Sequence, residues 1–175
     1  YTVFEINTQA EGLKSRRKAA ETFDNDPISA AEQIKEGYRD CPPITFAPGR
    51  AFYRPSTDTI SIPQIADYSN PAEFYSTMFH EMIHSTGHKT RLNRAGIIGI
   101  ASFGSEIYSR EELIAEIGAA FLCGTAGIEQ QTIENSAAYL ASWIKVLKGD
   151  SRLIIQAAAA AQKAADHIQG IQSAE

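Results

Sequence analysis

The run His80-Glu81-Met82-Ile83-His84 constrains this chain more than any other feature. On an α-helix, residues four apart lie one turn along the same face. Two imidazoles at that spacing can bind one Zn²⁺, and the glutamate after the first histidine can reach the water held by the ion. Roughly 0.007 such matches are expected by chance at this composition. An ordinary amphipathic helix that merely contains two histidines is therefore the weaker reading.

The flanks support a helix at this place. Asn70 can cap it, Pro71 suits its first turn, and Glu73 completes a box-like arrangement. Phe74, Met78, Phe79 and Met82 supply an apolar stripe, and Gly87 ends the helix in the manner of a C-cap. Upstream, Tyr1 to Ile6 reads as a short strand or extended arm. Asp26-Pro27 opens a helix to about Asp40, stopped by Cys41-Pro42-Pro43. Ile44 to Phe46 and Ala51 to Arg54 read as strands, the second forming a hairpin with Thr59 to Ile62 through Pro55-Ser56-Thr57-Asp58. Pro63 suggests that this last strand lies near a sheet edge. Lys89 to Tyr108 reads as a loop. Helices are expected from Ser109 through Leu122, closed by Gly124 and Gly127, then from Thr132 to Lys148 and from Ser151 to about Gln169. Strands precede helices, which predicts an α+β fold: a small, mostly antiparallel sheet packed on the motif helix, then a helical C-terminal half.

Two histidines leave a catalytic zinc site short of its third protein ligand. His88 follows Gly87, and the third histidine of the long zincin motif would fall at position 90, which is Thr. His88 is thus assigned to a loop or to support of the ligands. The other source is Glu111, Glu112 and Glu116. Glu112 and Glu116 share a helix face, while Glu111 points about 100° away. One carboxylate can ligate the metal and another can accept the second N–H of a ligand histidine. Glu112 is preferred as ligand, with Glu116 and Glu111 as alternatives. Ser109 with Glu112 also fits a helix-capping box. Glu116, set among Ile114, Ile117 and Phe121, needs a partner if buried.

At 175 residues the chain fits a single domain spanning 1–175. Its net charge of −5 argues against a large nucleic-acid footprint, and Lys14 to Lys18 reads as a solvated face. Cys41 and Cys123 form no CxxC pair, which points to a reducing, cytoplasmic setting. No apolar run reaches the roughly 20 residues that cross a bilayer, and the first residues do not resemble a signal peptide. Without an initiator Met, the chain reads as a piece of a longer protein.

Several segments together resemble the zincin-like metallopeptidase domain of ArdC-type antirestriction proteins, found on conjugative plasmids and phages and in larger polyvalent proteins. They are Tyr1-Thr2-Val3-Phe4 with Gln9, Ala51 to Pro55, Phe74-Tyr75-Ser76-Thr77 running into His80 to His84, Ser85 to His88, Arg91-Leu92-Asn93-Arg94, Phe103-Gly104-Ser105, and Arg110 to Leu122. The resemblance covers most of residues 1 to 130. It implies a preceding single-stranded-DNA-binding domain, of which Tyr1 to Leu13 would be the trailing edge. Related gluzincins place their metal-binding glutamate in a Glu-x-x-Ala-Asp or Glu-x-x-Ala-Asn pattern. Glu112-Leu113-Ile114-Ala115-Glu116 is similar with Glu last, which implies Glu112 as ligand and Glu116 behind it.

The expected reaction is zinc-dependent hydrolysis of a protein or peptide. Glu81 serves as general base, Tyr108 is a candidate donor to the oxyanion, and the strand near Ile60 to Ile62 is a candidate edge for an extended substrate. The alternative is a binding module that protects DNA or blocks a restriction enzyme without proteolysis.

Overall fold

The computed structural model describes residues 22–98, 106–129, 131–132 and 151–171. Helix α1 spans Ser29–Gly37, followed by β1 (Ile44–Phe46), β2 (Phe52–Arg54), β3 (Thr59–Ile62) and a single 3₁₀ turn over Ile65–Asp67. Then come α2 (Pro71–Thr86), α3 (Ala95–Ile98), α4 (Glu106–Thr125) and α5 (Ser151–Gln169). The α+β class is thus as expected. The expected strand at Tyr1 to Ile6 lies outside the described residues, as does the expected helix from Thr132 to Lys148 apart from Thr132 itself.

The sheet is small and mixed, and it differs from its expected form in one way, the place of β3. Its order is β1-β3-β2, with β1 parallel and β2 antiparallel to β3, so one of its two ladders is parallel. β3 is therefore the central strand and not an edge. Pro63 lies one residue past its end, where the missing N–H interrupts no ladder. Ile60 and Ile62 point inward and are fully buried, whereas Thr59 and Ser61 face out. With β3 flanked on both sides, β2 is the edge strand beside the motif among the described residues.

Helix α2 is the centre of the molecule. Asn70 caps it by accepting from the Ala72 N–H at 2.8 Å, but Glu73 accepts from the Ser69 hydroxyl at 3.2 Å instead of closing a capping box. Tyr75, Met78, Phe79, Met82 and Ile83 are wholly buried. Each such side chain contributes about 1.5–3 kcal/mol of burial. Helix α5 packs through Ala157, Ala161, Ala164, Ala165 and Ile168, a 3.6-residue repeat of mostly small side chains that lets it lie close to α2 and α4. Helix α4 approaches α2 closely where Gly118 meets Ile83: an added Cβ would lie 2.7 Å from Cδ1 of that isoleucine.

Two boundaries move. Helix α1 starts at Ser29, not at Pro27, because the preceding segment is tied to residues 65–68 outside any helix: the Phe23 N–H bonds the Ala66 carbonyl, the Asn25 amide donates to Ile65 and Tyr68, and Ile28 has extended dihedrals. The expected loop from Lys89 to Tyr108 contains α3 and the first turn of α4. Ser109 is consequently buried inside α4 and cannot be its cap, which removes the capping-box reading of Ser109 and Glu112. Gly87 does end α2, but with φ of −75°. Glycine is needed there for space: a Cβ would come within 2.6 Å of Ile97.

Arg91 ties the sheet to the end of α2. It donates to the Ser85 carbonyl and to both carboxylate oxygens of Asp58, which sits at φ 48° in the β2–β3 turn. Burial alone would raise the Asp58 pKa, but the Arg91 and Tyr53 hydrogen bonds with the Arg91 and His88 charges hold it below the usual range. A depressed carboxylate stabilises above its unfolded value and loses that contribution as pH falls through its folded one. Asp58→Asn, which still tolerates the left-handed turn, is expected to cost about 1–2 kcal/mol at pH 7 given its partial exposure. The gap in melting temperature between the two proteins should close below about pH 4. A gap that did not narrow at all as the pH fell below about 4 would rule out the charge as its source.

Candidate metal centre

The histidines of α2 face α4 across a cleft of about 560 Å³, whose other wall is β2 and the residues leading into it. His80, His84 and Glu112 bring one ligand atom each to within 4.8 Å of one another. The Nε2 atoms of His80 and His84 are 3.1 Å apart, and they lie 3.7 and 3.6 Å from the Glu112 oxygens. Ligands at 2.0–2.1 Å around a tetrahedral ion are about 3.3 Å apart, so the three atoms suit one divalent cation. Two imidazoles and a carboxylate are also the donor set of an open catalytic site.

Both histidines present Nε2 inward because Nδ1 is engaged behind. Nδ1 of His80 lies 3.3 Å from Glu116, and Nδ1 of His84 lies 3.4 Å from Glu111. A single helix thus supplies the candidate ligand and a carboxylate behind each imidazole. Such partners fix ring orientation and tautomer.

Glu111 is the least favoured of the three ligand candidates by spacing, since it points away from the face shared by Glu112 and Glu116. That direction takes it to His84 and to Arg94. Nη2 of Arg94 donates to Glu111 at 2.6 Å and Nε at 3.0 Å, while its other bonds reach the Thr86 hydroxyl and the Ile83 carbonyl. Gly96 allows α3 to lie against this pair: a Cβ there would stand 2.8 Å from Cβ of Glu111. Burial would lower the His84 pKa, but the Glu111 hydrogen bond and the charges of Glu81, Glu111 and Glu112 raise it. Burial would likewise raise Glu111, yet His84 and Arg94 lower it. Sequence reasoning misses Arg94's part. A basic residue inside a Gly/Ser/Asn-rich stretch beside the motif is the available clue.

Glu81 is buried and lines the same cleft. Tyr108, on the first turns of α4 and not in a preceding loop, also lines it. Burial, then the Glu112 charge and a hydrogen bond to Glu112, raise its phenol pKa, keeping the O–H protonated as a donor. His88 lies apart: its Nδ1 meets Thr90 at 2.8 Å and Asp58 at 3.9 Å, so it supports the Arg91 network and not the ligands.

Residues 42–160 match the sequence profile of a family described as zincin-like metallopeptidase. The chain is 42% identical over 127 residues to DNA primase TraC of Escherichia coli, covering 71% of this chain and 8% of that protein. It is 35% identical over 150 residues to the uncharacterized protein y4eC of Sinorhizobium fredii (strain NBRC 101917 / NGR234), covering 83% of this chain and 48% of that one. Among solved structures, the Mn(II)-bound antirestriction ArdC protein from the R388 plasmid superposes with a TM-score of 0.67 at 37% identity, over 98% of this chain and 61% of that chain. Its metal-free form gives 0.60, over 89% and 53%. The chain spans less than two thirds of each of these proteins. Among the described residues no helix is long and apolar enough to cross a membrane.

Proposed function

Because this chain belongs to the zincin-like metallopeptidase family, we propose that it is a metal-dependent peptidase domain in which His80, His84 and Glu112 hold one divalent ion. The observation that carries this reading is the convergence of those three side chains on one point, with Glu81 in the same cleft. A divalent ion held by these residues would supply Lewis acidity, polarising a carbonyl oxygen and lowering the pKa of water. Zinc is the expected ion. The related ArdC structure is Mn(II)-bound, which supports a divalent ion in this family without singling out zinc.

The chain's own groups do the rest. The Glu81 carboxylate takes a proton from the attacking water and returns it to the leaving nitrogen. The Tyr108 hydroxyl donates a hydrogen bond to the oxygen on which charge develops. Glu116 and Glu111 hold the two imidazoles in register from behind. An extended peptide is bound along the free edge of β2, the strand that borders the cleft, in place of the central β3.

The relatives' names connect such domains with antirestriction and DNA primase proteins, which supports a setting in DNA transfer. It also supports a second reading: a metal-stabilised module that protects DNA without cutting protein, with DNA contacts made by other parts of a longer protein.

The metal assignment has a direct test. Elemental analysis of the protein after exposure to Zn²⁺ or Mn²⁺ and desalting is expected to give about one ion per chain, and His80→Ala should lose nearly all of it. Glu112→Gln should cost more affinity than Glu116→Gln, because the first removes a ligand and the second a supporting hydrogen bond. A full equivalent retained by His80→Ala would place the ion elsewhere.

A further inference from the structure

Once the residues that hold the ion, back it or move protons are set aside, the cleft is lined by neutral groups and one charge. Ala51, Phe52, Pro55, Ile97 and Tyr108 are uncharged; Arg50 is the exception. Gly49, at φ +119°, turns the chain just before Arg50, which stands two residues ahead of β2, the edge strand beside the cleft among the described residues. The other arginines near this cleft are committed: Arg91 to Asp58, Arg94 to Glu111, and Arg54 to the Phe52 ring at 5.0 Å. Among the described residues Arg50 has no ion-pair or side-chain hydrogen-bond partner. Its charge nevertheless reaches the Tyr108 phenol on the opposite wall, and that phenol bonds Glu112.

We propose that Arg50 determines specificity by binding an acidic side chain of the substrate peptide near the bond to be cut. A guanidinium offers five donors in a planar fork that matches a carboxylate in two parallel hydrogen bonds. No other charge in the neutral part of the cleft wall competes for that carboxylate. A peptide extended along β2 alternates its side chains between faces, so only alternate positions can meet Arg50, and the preference falls on one residue near the scissile bond. A phosphate of single-stranded DNA would satisfy the same fork. The peptide is favoured because the cation stands at the end of a strand edge that recognises backbone amides, and because the whole chain carries a net charge of −5.

This inference rests on the peptidase reading, and its test does not need turnover. Acetylated peptide hydroxamates in Asp and Asn versions, the residue placed at the first or second position from the hydroxamate, are titrated into the Zn²⁺- or Mn²⁺-loaded protein. At one position the Asp peptide is expected to bind about tenfold more tightly than its Asn counterpart, an advantage that shrinks as salt rises. Arg50→Ala should bring that ratio near one, and Arg50→Glu should invert it. Equal binding of every pair by the unsubstituted protein, with affinity still dependent on metal, would overturn the role of Arg50 and leave the peptidase reading intact. The role is equally overturned if Arg50→Ala keeps the ratio but loses affinity for a short single-stranded oligonucleotide. If no hydroxamate binds protein that retains its metal, the peptide reading falls and the inference falls with it.

Discussion

Replacing Glu81 by Gln is expected to lower the peptidase rate by about 10²–10⁴-fold, the usual worth of a general base. Metal content and melting temperature should barely change. Glutamine keeps the shape and one hydrogen-bonding oxygen but cannot accept the proton. Glu81 is also not among the three converging ligands, so its loss should not release the ion. The measurement has two arms. Cleavage of a peptide pool by metal-loaded protein reads the chemistry. Protection of incoming DNA in a restricting host reads the biology. Loss of both with metal still bound would tie protection to hydrolysis. Full protection by Glu81→Gln would instead establish the binding-module reading.

The second large effect is expected at Arg94, which touches none of the three proposed ligands. Arg94→Ala should destabilise the protein by about 3 kcal/mol, at the low end for breaking a buried ion pair. Glu111 keeps His84 as a partner, but it is left buried without its main counter-charge, and the Thr86 and Ile83 acceptors lose a donor. Metal affinity should fall by about 10–100-fold, because Glu111 no longer holds His84 in one orientation. Arg94→Lys should restore part of the stability and less of the affinity, since an ammonium cannot span Glu111, Thr86 and Ile83 in one plane. Urea unfolding of the metal-free protein and competition with a chelator separate the two effects. Unchanged metal affinity in a folded Arg94→Ala protein would show that the pair is purely structural.

Features that act within a turn or two of chain are readable from the residues themselves. Helical periodicity puts His80 and His84 on one face. Asn70 and Pro71 mark where that helix begins, and Ser151 to Gln169 is legible from its alanine repeat. The spacing of Glu112 and Glu116 marks them as neighbours on a second helix. The resemblance to known metallopeptidase domains adds which of those carboxylates to prefer.

How those pieces face one another is settled by packing alone. Ser109 reads as a cap because serine favours helix starts, yet the helix begins earlier and buries it. Pro63 reads as an edge signal, yet β1 crosses to pair in parallel with β3 and makes that strand central. Glu111 lies off the face that its spacing assigns to the metal. It stands behind His84 because Gly118 lets α4 press onto Ile83 and because Arg94 folds back over the end of α2. The difference is one of range. Capping and periodicity depend on neighbouring residues, whereas the pairing of His84 with Glu111 joins groups 27 positions apart. That contact exists only once two helices have packed at one distance and one rotation, and no local pattern encodes either.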